Sequence, residues 1–111
     1  MNSINKGKAG EREWAKFCRN QGFKDVRRSQ QYSGGVEESA DCINLPKIHQ
    51  EVKRVEKLNI DKAVEQAIND VGDRKAFPIV AHRKNRKNWL VTMRAEDWFN
   101  LYKAYLSLGK E

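Results

Sequence analysis

The sequence predicts an α/β domain in which a mixed β-sheet is flanked by helices, with elements in the order α-β-β-β-α-β-β-α. In three segments, residues 10–21, residues 60–71 and the stretch from residue 96 onwards, apolar side chains recur at helical spacing. Five runs between them read as strands: "FKDVRRS", "ADCINL", "IHQEVKRV", "FPIVAH" and "NWLVTM". The 111 residues contain no repeat and no linker, so we expect one domain over residues 1–111.

The first predicted helix carries an acid on its buried face. Trp14, Phe17 and Cys18 form its apolar stripe, and Glu11 shares that face by spacing. Residues 1–8 are polar, and we expect them to be flexible. One explanation for Glu11 is its favourable placement near the positive end of the helix dipole. The alternative is a functional role.

A predicted β-hairpin brings further polar residues together. The strands "ADCINL" and "IHQEVKRV" flank a tight turn at Pro46 and Lys47. Alternation divides the second strand into two faces, with His49, Glu51, Lys53 and Val55 on one and Ile48, Gln50 and Val52 on the other. Asp41, on the first strand, can therefore meet Glu51 across the hairpin.

The second half of the chain holds two more helices. Asn59 is a suitable cap for the helix over residues 60–71, and Gly72 is a suitable end. The final helix is apolar nearly all round, which is more than one sheet can cover. A second contact and a broad helix packed into a small core are both compatible with this pattern.

Composition narrows the functional classes. With 22 Lys and Arg against 15 Asp and Glu, the net charge is +7, which favours a polyanionic partner such as nucleic acid. No apolar run approaches the ~20 residues of a membrane span, and the first residues lack the apolar centre of a signal peptide. The two cysteines show no disulfide-like spacing, so we expect a cytoplasmic protein. Zinc is disfavoured because its candidate ligands form no close pair: Cys18, Cys42, His49 and His82.

The acids of the hairpin suggest a specific chemistry. Two carboxylates at one place repel, and a divalent cation with oxygen ligands relieves that cost. Lys53 projects from the same strand face as Glu51, where its ammonium group could hold an attacking water or offset charge on a phosphate. The alternative for Glu51 and Lys53 is an ordinary surface ion pair, worth about 0–1 kcal/mol.

Five stretches together resemble a known group of nucleases: "KGKAGEREW", "GF…VRRS…YSGG", "ADCINL", "HQEVKR" and "LNIDKAVEQA". They span about residues 6–98 in the family's order. The chain resembles the PD-(D/E)XK nuclease superfamily, most closely its small archaeal-type and phage-type Holliday-junction resolvases. The resemblance implies a restriction-endonuclease-like mixed sheet. Ala40 stands where the family pattern has proline.

The resemblance also implies site residues. Asp41, Glu51 and the backbone carbonyl of Val52 would hold Mg²⁺ or Mn²⁺, with Glu11 supporting the metal, often through water. Lys53 matches the catalytic lysine. Ser33 matches the serine of a mobile loop, for which Ser29 is the alternative, and Gln66 matches a polar residue that the second helix directs to the active centre.

Basic side chains supply candidate DNA contacts. The loop after the first strand and the later strands contribute the following set: Arg27, Arg28, Gln30, Gln31, Tyr32, Arg54, Arg83, Lys84, Arg86 and Lys87. Such residues bind phosphates without reading sequence. For the "HRKNRKN" turn, a solvated charged surface is an equally good interpretation.

The functional hypothesis is a Mg²⁺- or Mn²⁺-dependent, structure-selective endodeoxyribonuclease. By resemblance it would be a homodimeric Holliday-junction resolvase that leaves 5′-phosphate and 3′-hydroxyl ends, and its phage-type features favour a phage or prophage origin. One alternative is a less selective nuclease or nickase acting on flaps, forks or duplex DNA. Another is a nucleic-acid-binding module without catalysis, whose affinity would fall with salt and ignore divalent ions.

Overall fold

The computed structural model of the chain describes residues 3–29 and 40–109, with side chains from residue 7 onwards, as three helices and five strands. The elements follow one another as α1 (Ser3–Asn20), β1 (Arg27–Arg28), β2 (Cys42–Ile43), β3 (Ile48–Arg54), α2 (Ile60–Val71), β4 (Phe77–Arg83), β5 (Leu90–Met93) and α3 (Ala95–Leu108). The predicted α/β class with a mixed sheet and flanking helices is confirmed.

The sheet has the order β1-β2-β3-β4-β5, so β3 is its central strand. Only β3 and β4 pair in parallel among these strands, and α2 forms the crossover between them. The β2–β3 connection is a tight turn in which Asn44 and Lys47 adopt positive φ angles of 73° and 64°. This turn gives the antiparallel register in which Cys42 lies opposite Gln50.

One face of the sheet is covered by α1. The helix buries Trp14 and Cys18 against residues of the central strands, including Val52 and Ile79. A polar residue lies in this core: Gln50 is fully buried, and its Oε1 accepts a hydrogen bond from Trp14 Nε1 at 2.6 Å. Val52 and Gln50 therefore share the α1 face of β3, as alternation predicted.

The helix α1 begins at Ser3, earlier than the predicted start at residue 10. Residues 1–2 lie outside the described part of the chain. The earlier start corrects one explanation of Glu11. This residue lies more than two turns inside the helix, because one turn takes 3.6 residues, so it is too far from the positive end to benefit from the dipole.

The opposite face is covered by α2, which has its predicted bounds. Asn59 Oδ1 accepts a hydrogen bond from the Lys62 N–H at 3.1 Å, and Gly72 ends the helix with a φ of 54°. Ala63 and Ala67 pack on Val80 of β4. Small residues on this face let the helix lie close to the strands that carry the candidate site.

The last helix, α3, does not pack broadly into the core. Its large apolar residues are exposed by 41% to 82%: Trp98, Phe99, Leu101, Tyr102, Tyr105, Leu106 and Leu108. Asp97 of this helix is buried, and its carboxylate accepts a 2.8 Å hydrogen bond from Arg94 Nε. The small-core alternative for α3 is therefore wrong. Within the described residues, no helix is both long and apolar enough to span a membrane.

Gly10 sets how closely α1 approaches β3, and we expect Gly10→Ala to destabilise the protein. A Cβ at this position would lie 2.8 Å from Arg54 Cβ, so the helix must shift away from the strand. Overpacking of this kind costs about 1–3 kcal/mol, partly offset by about 1 kcal/mol of helix propensity. Gly7→Ala is the matched control, since no atom lies within 4 Å of its Cβ position. Urea unfolding should rank Gly7→Ala above wild type and Gly10→Ala below it; the reverse order would contradict the close approach.

Candidate metal centre

Three elements bring the predicted acids together beside Lys53. Glu11 comes from α1, Asp41 lies directly before β2, and Glu51 and Lys53 lie on β3. These groups lie close enough to change one another's pKa values. Besides burial, the charge of Asp41 raises the pKa of Glu11, and the charge of Glu51 raises the pKa of Asp41. The charge of Lys53 lowers the pKa of all three carboxyl groups. The structure thus groups four of the six residues predicted to be catalytic.

The β2–β3 hairpin fixes Asp41 through two hydrogen bonds. Its backbone N–H donates to the carbonyl of Gln50 at 2.9 Å, and its Oδ2 accepts from the N–H of Val52 at 2.8 Å. Alternate residues of a strand direct their backbone groups to the same neighbouring strand. Because Gln50 pairs with β2, the carbonyl of Val52 also points to the side on which Asp41 lies. This carbonyl is therefore suitably directed for the ligand role that the resemblance implies.

Glu51 is the most deeply buried acid of the group, with 0% of its surface exposed. Its Oε1 lies 3.2 Å from His49 Nε2, whereas the buried Oε2 has no hydrogen-bond donor among the described residues. The neighbours of Glu51 include the carboxyl groups of Asp41 and Asp70, which are close enough to share a proton with it. A buried carboxylate oxygen that faces other carboxylates needs a proton or a cation.

The pKa values express the same electrostatic cost. Burial, followed by hydrogen bonding and charge from Asp70, raises the pKa of Glu51 to about 7. Burial and then the Glu51 charge raise the pKa of Asp41 to about 6. The pKa of Glu11 is also raised by burial, and a 2.8 Å ion pair with Arg28 Nε opposes that rise. Burial and mutual repulsion therefore oppose the simultaneous ionisation of Glu11, Asp41 and Glu51 at neutral pH.

The helix α2 contributes an acid to the site, Asp70, that was not among the predicted site residues. Carboxylate oxygens of Asp70 and Glu51 and a ring nitrogen of His49 all lie within 4.8 Å of one another. Gln66, predicted to point to the active centre, lies on the exposed surface of α2 one turn earlier. The i, i+4 spacing puts Gln66 and Asp70 on the same face of α2, so the position of the helix along the strands decides which of the two lies beside Glu51.

The buried His49 is held between two charged side chains. Arg74 Nη2 lies 2.7 Å from His49 Nδ1, and Glu51 Oε1 lies 3.2 Å from its Nε2. Alternation had placed His49 on the Glu51 face, but its partner Arg74 follows α2 and is 25 positions away in the chain. Local sequence patterns therefore could not indicate that Arg74 lies beside His49.

The predicted DNA contacts differ in ion pairing and in exposure. Arg28 pairs with Glu11, while Arg54 and Arg83 pair with Glu13 through 3.2 Å and 3.6 Å contacts. Four further predicted contacts have exposed side chains: Arg27, Lys84, Arg86 and Lys87. Lys84, Arg86 and Lys87 are better suited to a polyanion, because the charges of Arg28, Arg54 and Arg83 are already balanced by intramolecular carboxylates.

Several predictions fall outside the described residues or on other parts of the fold. Four predicted residues lie outside the described ranges: Gln30, Gln31, Tyr32 and Ser33. Ser29, the alternative to Ser33, is buried, and its N–H donates to the carbonyl of Asp41 at 2.9 Å. Cys18 and Cys42 lie in the α1 core, where burial raises the pKa of both thiols and disfavours the thiolates that zinc requires.

We expect the metal-free protein to lose stability as the pH rises from about 4.5 to about 7. The raised pKa values of Asp41 and Glu51 mean that the folded protein binds protons more tightly than the unfolded chain in this range. Stability is thus highest below the unfolded pKa values and falls through the folded ones. In EDTA, the thermal midpoint should fall by about 5 °C or more, and Mg²⁺ should restore it at the upper pH.

Asp41→Asn provides the comparison for this pH profile. The amide removes one negative charge and keeps an oxygen for the Val52 N–H, so its midpoint should fall much less. The lowered pKa of the partly buried His82 acts in the opposite direction in both proteins, so the difference between the two profiles isolates the acidic pair. Parallel profiles for the two proteins would contradict the coupling.

Comparisons with models of protein families, with curated proteins and with solved structures found no match to this chain. The functional assignment therefore depends on the chemistry of the site and on the motif resemblance.

Proposed function

We propose that this protein is a Mg²⁺- or Mn²⁺-dependent endodeoxyribonuclease with a PD-(D/E)XK site on a restriction-endonuclease-like fold, and that it resolves Holliday junctions. The observation that carries the proposal is the buried Glu51 Oε2, which has no hydrogen-bond donor among the described residues and lies among carboxyl groups. A surface ion pair between Glu51 and Lys53 does not account for a fully buried acid.

The available ligands fit a hard divalent cation. Asp41 and Glu51 would bind it through carboxylate oxygens, Val52 through its backbone carbonyl, and Glu11 through water. Mg²⁺ uses one or two carboxylates and leaves its other positions to water and phosphate. When bound, such an ion lowers the pKa of water and stabilises charge on the phosphodiester.

The chain's own residues would position the reaction. Lys53 projects from the Glu51 face of β3, where its ammonium group can donate to an attacking water or to a phosphate oxygen. In the hydrolysis, the water oxygen bonds to phosphorus and the bond from phosphorus to the 3′ oxygen breaks. One proton of the water is delivered to the departing 3′ oxygen, which becomes the 3′-hydroxyl, and the other stays with the oxygen that becomes part of the 5′-phosphate.

Basic residues near the same end of the sheet would bind the DNA backbone. Lys53 and Arg54 pair with the last residues of β4, and the turn that follows β4 carries Lys84, Arg86 and Lys87. These exposed side chains can contact phosphates beside the cleavage site without reading sequence. Their number and the net charge of +7 support nucleic acid as the substrate.

We further propose that α3 pairs with a second copy of this chain, because resolution of a four-way junction needs two symmetric cuts. The exposed apolar surface of α3 supports such a contact. We expect a dimer by light scattering, and Leu101→Glu together with Tyr105→Glu should shift it to monomer. Asn100→Glu, a polar position on the same helix, is the control and should remain dimeric. A wild-type protein that is monomeric at every concentration would contradict the dimer.

The first test compares a labelled four-way junction with a matched linear duplex in Mg²⁺, in Mn²⁺ and in EDTA. Paired, metal-dependent cuts confined to the junction would support the resolvase. Equal cutting of both substrates would keep the nuclease and reject the resolvase, in favour of an enzyme acting on flaps, forks or duplex. Binding that weakens with salt, without cutting in either metal, would favour the non-catalytic module.

A further inference from the structure

Glu51 lies at the end of a series of hydrogen bonds that starts on α2. Arg74 Nη2 donates to the backbone carbonyl of Asp70 at 3.1 Å and contacts His49 Nδ1 at 2.7 Å. His49 Nε2 in turn lies 3.2 Å from Glu51 Oε1. Both His49 and Glu51 are essentially inaccessible, with 1% and 0% of their surface exposed. This series of hydrogen bonds therefore links the end of α2 to Glu51 at the centre of β3.

The guanidinium group of Arg74 decides which atoms donate and which accept in this series of hydrogen bonds. A guanidinium group only donates hydrogen bonds, so His49 Nδ1 must accept from Arg74. In neutral imidazole the proton is then on Nε2, which donates to Glu51 Oε1. A metal bound to His49 Nε2 would require the opposite tautomer, with a proton on Nδ1 facing the guanidinium. His49 is thus a poor metal ligand here, although it lies within 4.8 Å of two carboxylates.

We propose that Arg74 and His49 are positioning residues that orient Glu51 for a divalent cation; this inference rests on the proposed function. Occupation of Oε1 by the His49 donor leaves Oε2, which has no donor among the described residues, as the oxygen available to the ion. Without that donor, repulsion from Asp41 and Asp70 favours rotation of the Glu51 carboxylate away from its neighbours. Partners of this kind change metal affinity by about 10–100-fold.

The test measures Mn²⁺ affinity without DNA, by the EPR signal of the free ion. Arg74→Met is the main variant, because this exposed side chain can be shortened without opening the core. Its matched control is Lys75→Met, an exposed neighbour with the same charge change. We expect Arg74→Met to weaken Mn²⁺ binding by about 10-fold, and Lys75→Met to change it less than twofold.

Substitutions of His49 separate positioning from packing. His49→Phe keeps a buried ring but removes the donor, whereas His49→Gln retains an N–H group at the reach of Nε2. We expect His49→Phe to weaken Mn²⁺ binding by about 10–100-fold and His49→Gln to recover most of that loss. With saturating Mn²⁺, cleavage by His49→Phe should approach that of wild type, with the KM for DNA unchanged.

The outcomes distinguish this inference from the proposed function. Absence of Mn²⁺ binding by the wild type would reject the metal centre itself. Wild-type binding that Arg74→Met and His49→Phe both leave unchanged would overturn the positioning role while keeping the centre. A ¹⁴N coupling to bound Mn²⁺ that His49→Gln abolishes would also overturn it, since His49 would then be a ligand.

Discussion

Asp41→Asn is expected to abolish DNA cleavage and to leave DNA binding intact. The substitution removes a charged ligand from the proposed metal centre and adds no bulk, and the Val52 N–H keeps an acceptor. Loss of the several kcal/mol that a metal supplies to the transition state corresponds to a rate reduction of about 10³-fold or more. Single-turnover cleavage of a labelled junction and a gel-shift assay in EDTA would measure the two properties separately.

The matched control for Asp41→Asn is Asp61→Asn, the same change at an exposed position in the first turn of α2. It should retain cleavage and binding. Unfolding does not provide an alternative explanation, because Asp41→Asn relieves repulsion and should increase stability above about pH 7. Cleavage by Asp41→Asn at the wild-type rate would reject the assignment of the site.

Lys53→Met is expected to reduce the cleavage rate by about 10²–10⁴-fold, the range for loss of a positioned proton-transferring or charge-stabilising group. Methionine keeps most of the aliphatic stem, so packing on β3 should persist. The Lys53 charge lowers the pKa of Glu11, Asp41 and Glu51, so its removal makes those acids harder to ionise. Mn²⁺ binding should therefore weaken as well, most clearly at low pH.

Lys57→Met is the control for Lys53→Met, since it removes the same charge from an exposed position shortly after β3. We expect it to cut at close to the wild-type rate and to show only a small change in salt dependence. Rates of Lys53→Met and Lys57→Met that fall equally would indicate a general loss of positive charge and would contradict a specific role for Lys53.

The core of the candidate site was predictable because its residues are close in the chain. Ten positions separate Asp41 from Glu51, and a tight turn with a two-residue alternation is enough to place them together. Asn59 and Gly72 likewise mark the ends of α2 through local capping interactions. Local chemistry determines such features before any long-range contact forms.

The remaining parts of the site depend on packing between distant elements. Asp70 and not Gln66 lies at Glu51, and the packing of Ala63 and Ala67 on Val80 sets where α2 is seated along the strands. Both residues are polar and lie one helical turn apart, so sequence pattern cannot choose between them.

The ion pairing of the predicted DNA-contact arginines also depends on contacts between distant elements. Glu13 pairs with Arg54 and Arg83, which lie on different strands, and thereby occupies two of the predicted DNA contacts. The exposure of α3 is also a tertiary property, because an apolar helix gives the same sequence pattern whether it enters the core or projects from it.

By itself the sequence determined the α/β class, the order of the elements and the meeting of Asp41 with Glu51, since these follow from short-range periodicity and turn chemistry. Only the tertiary structure decided that Asp70 and Arg74 join His49 on the far side of Glu51. The physical reason is that side-chain neighbours across a crossover depend on how a helix is rotated and seated on its sheet, which is decided by packing and not by local spacing.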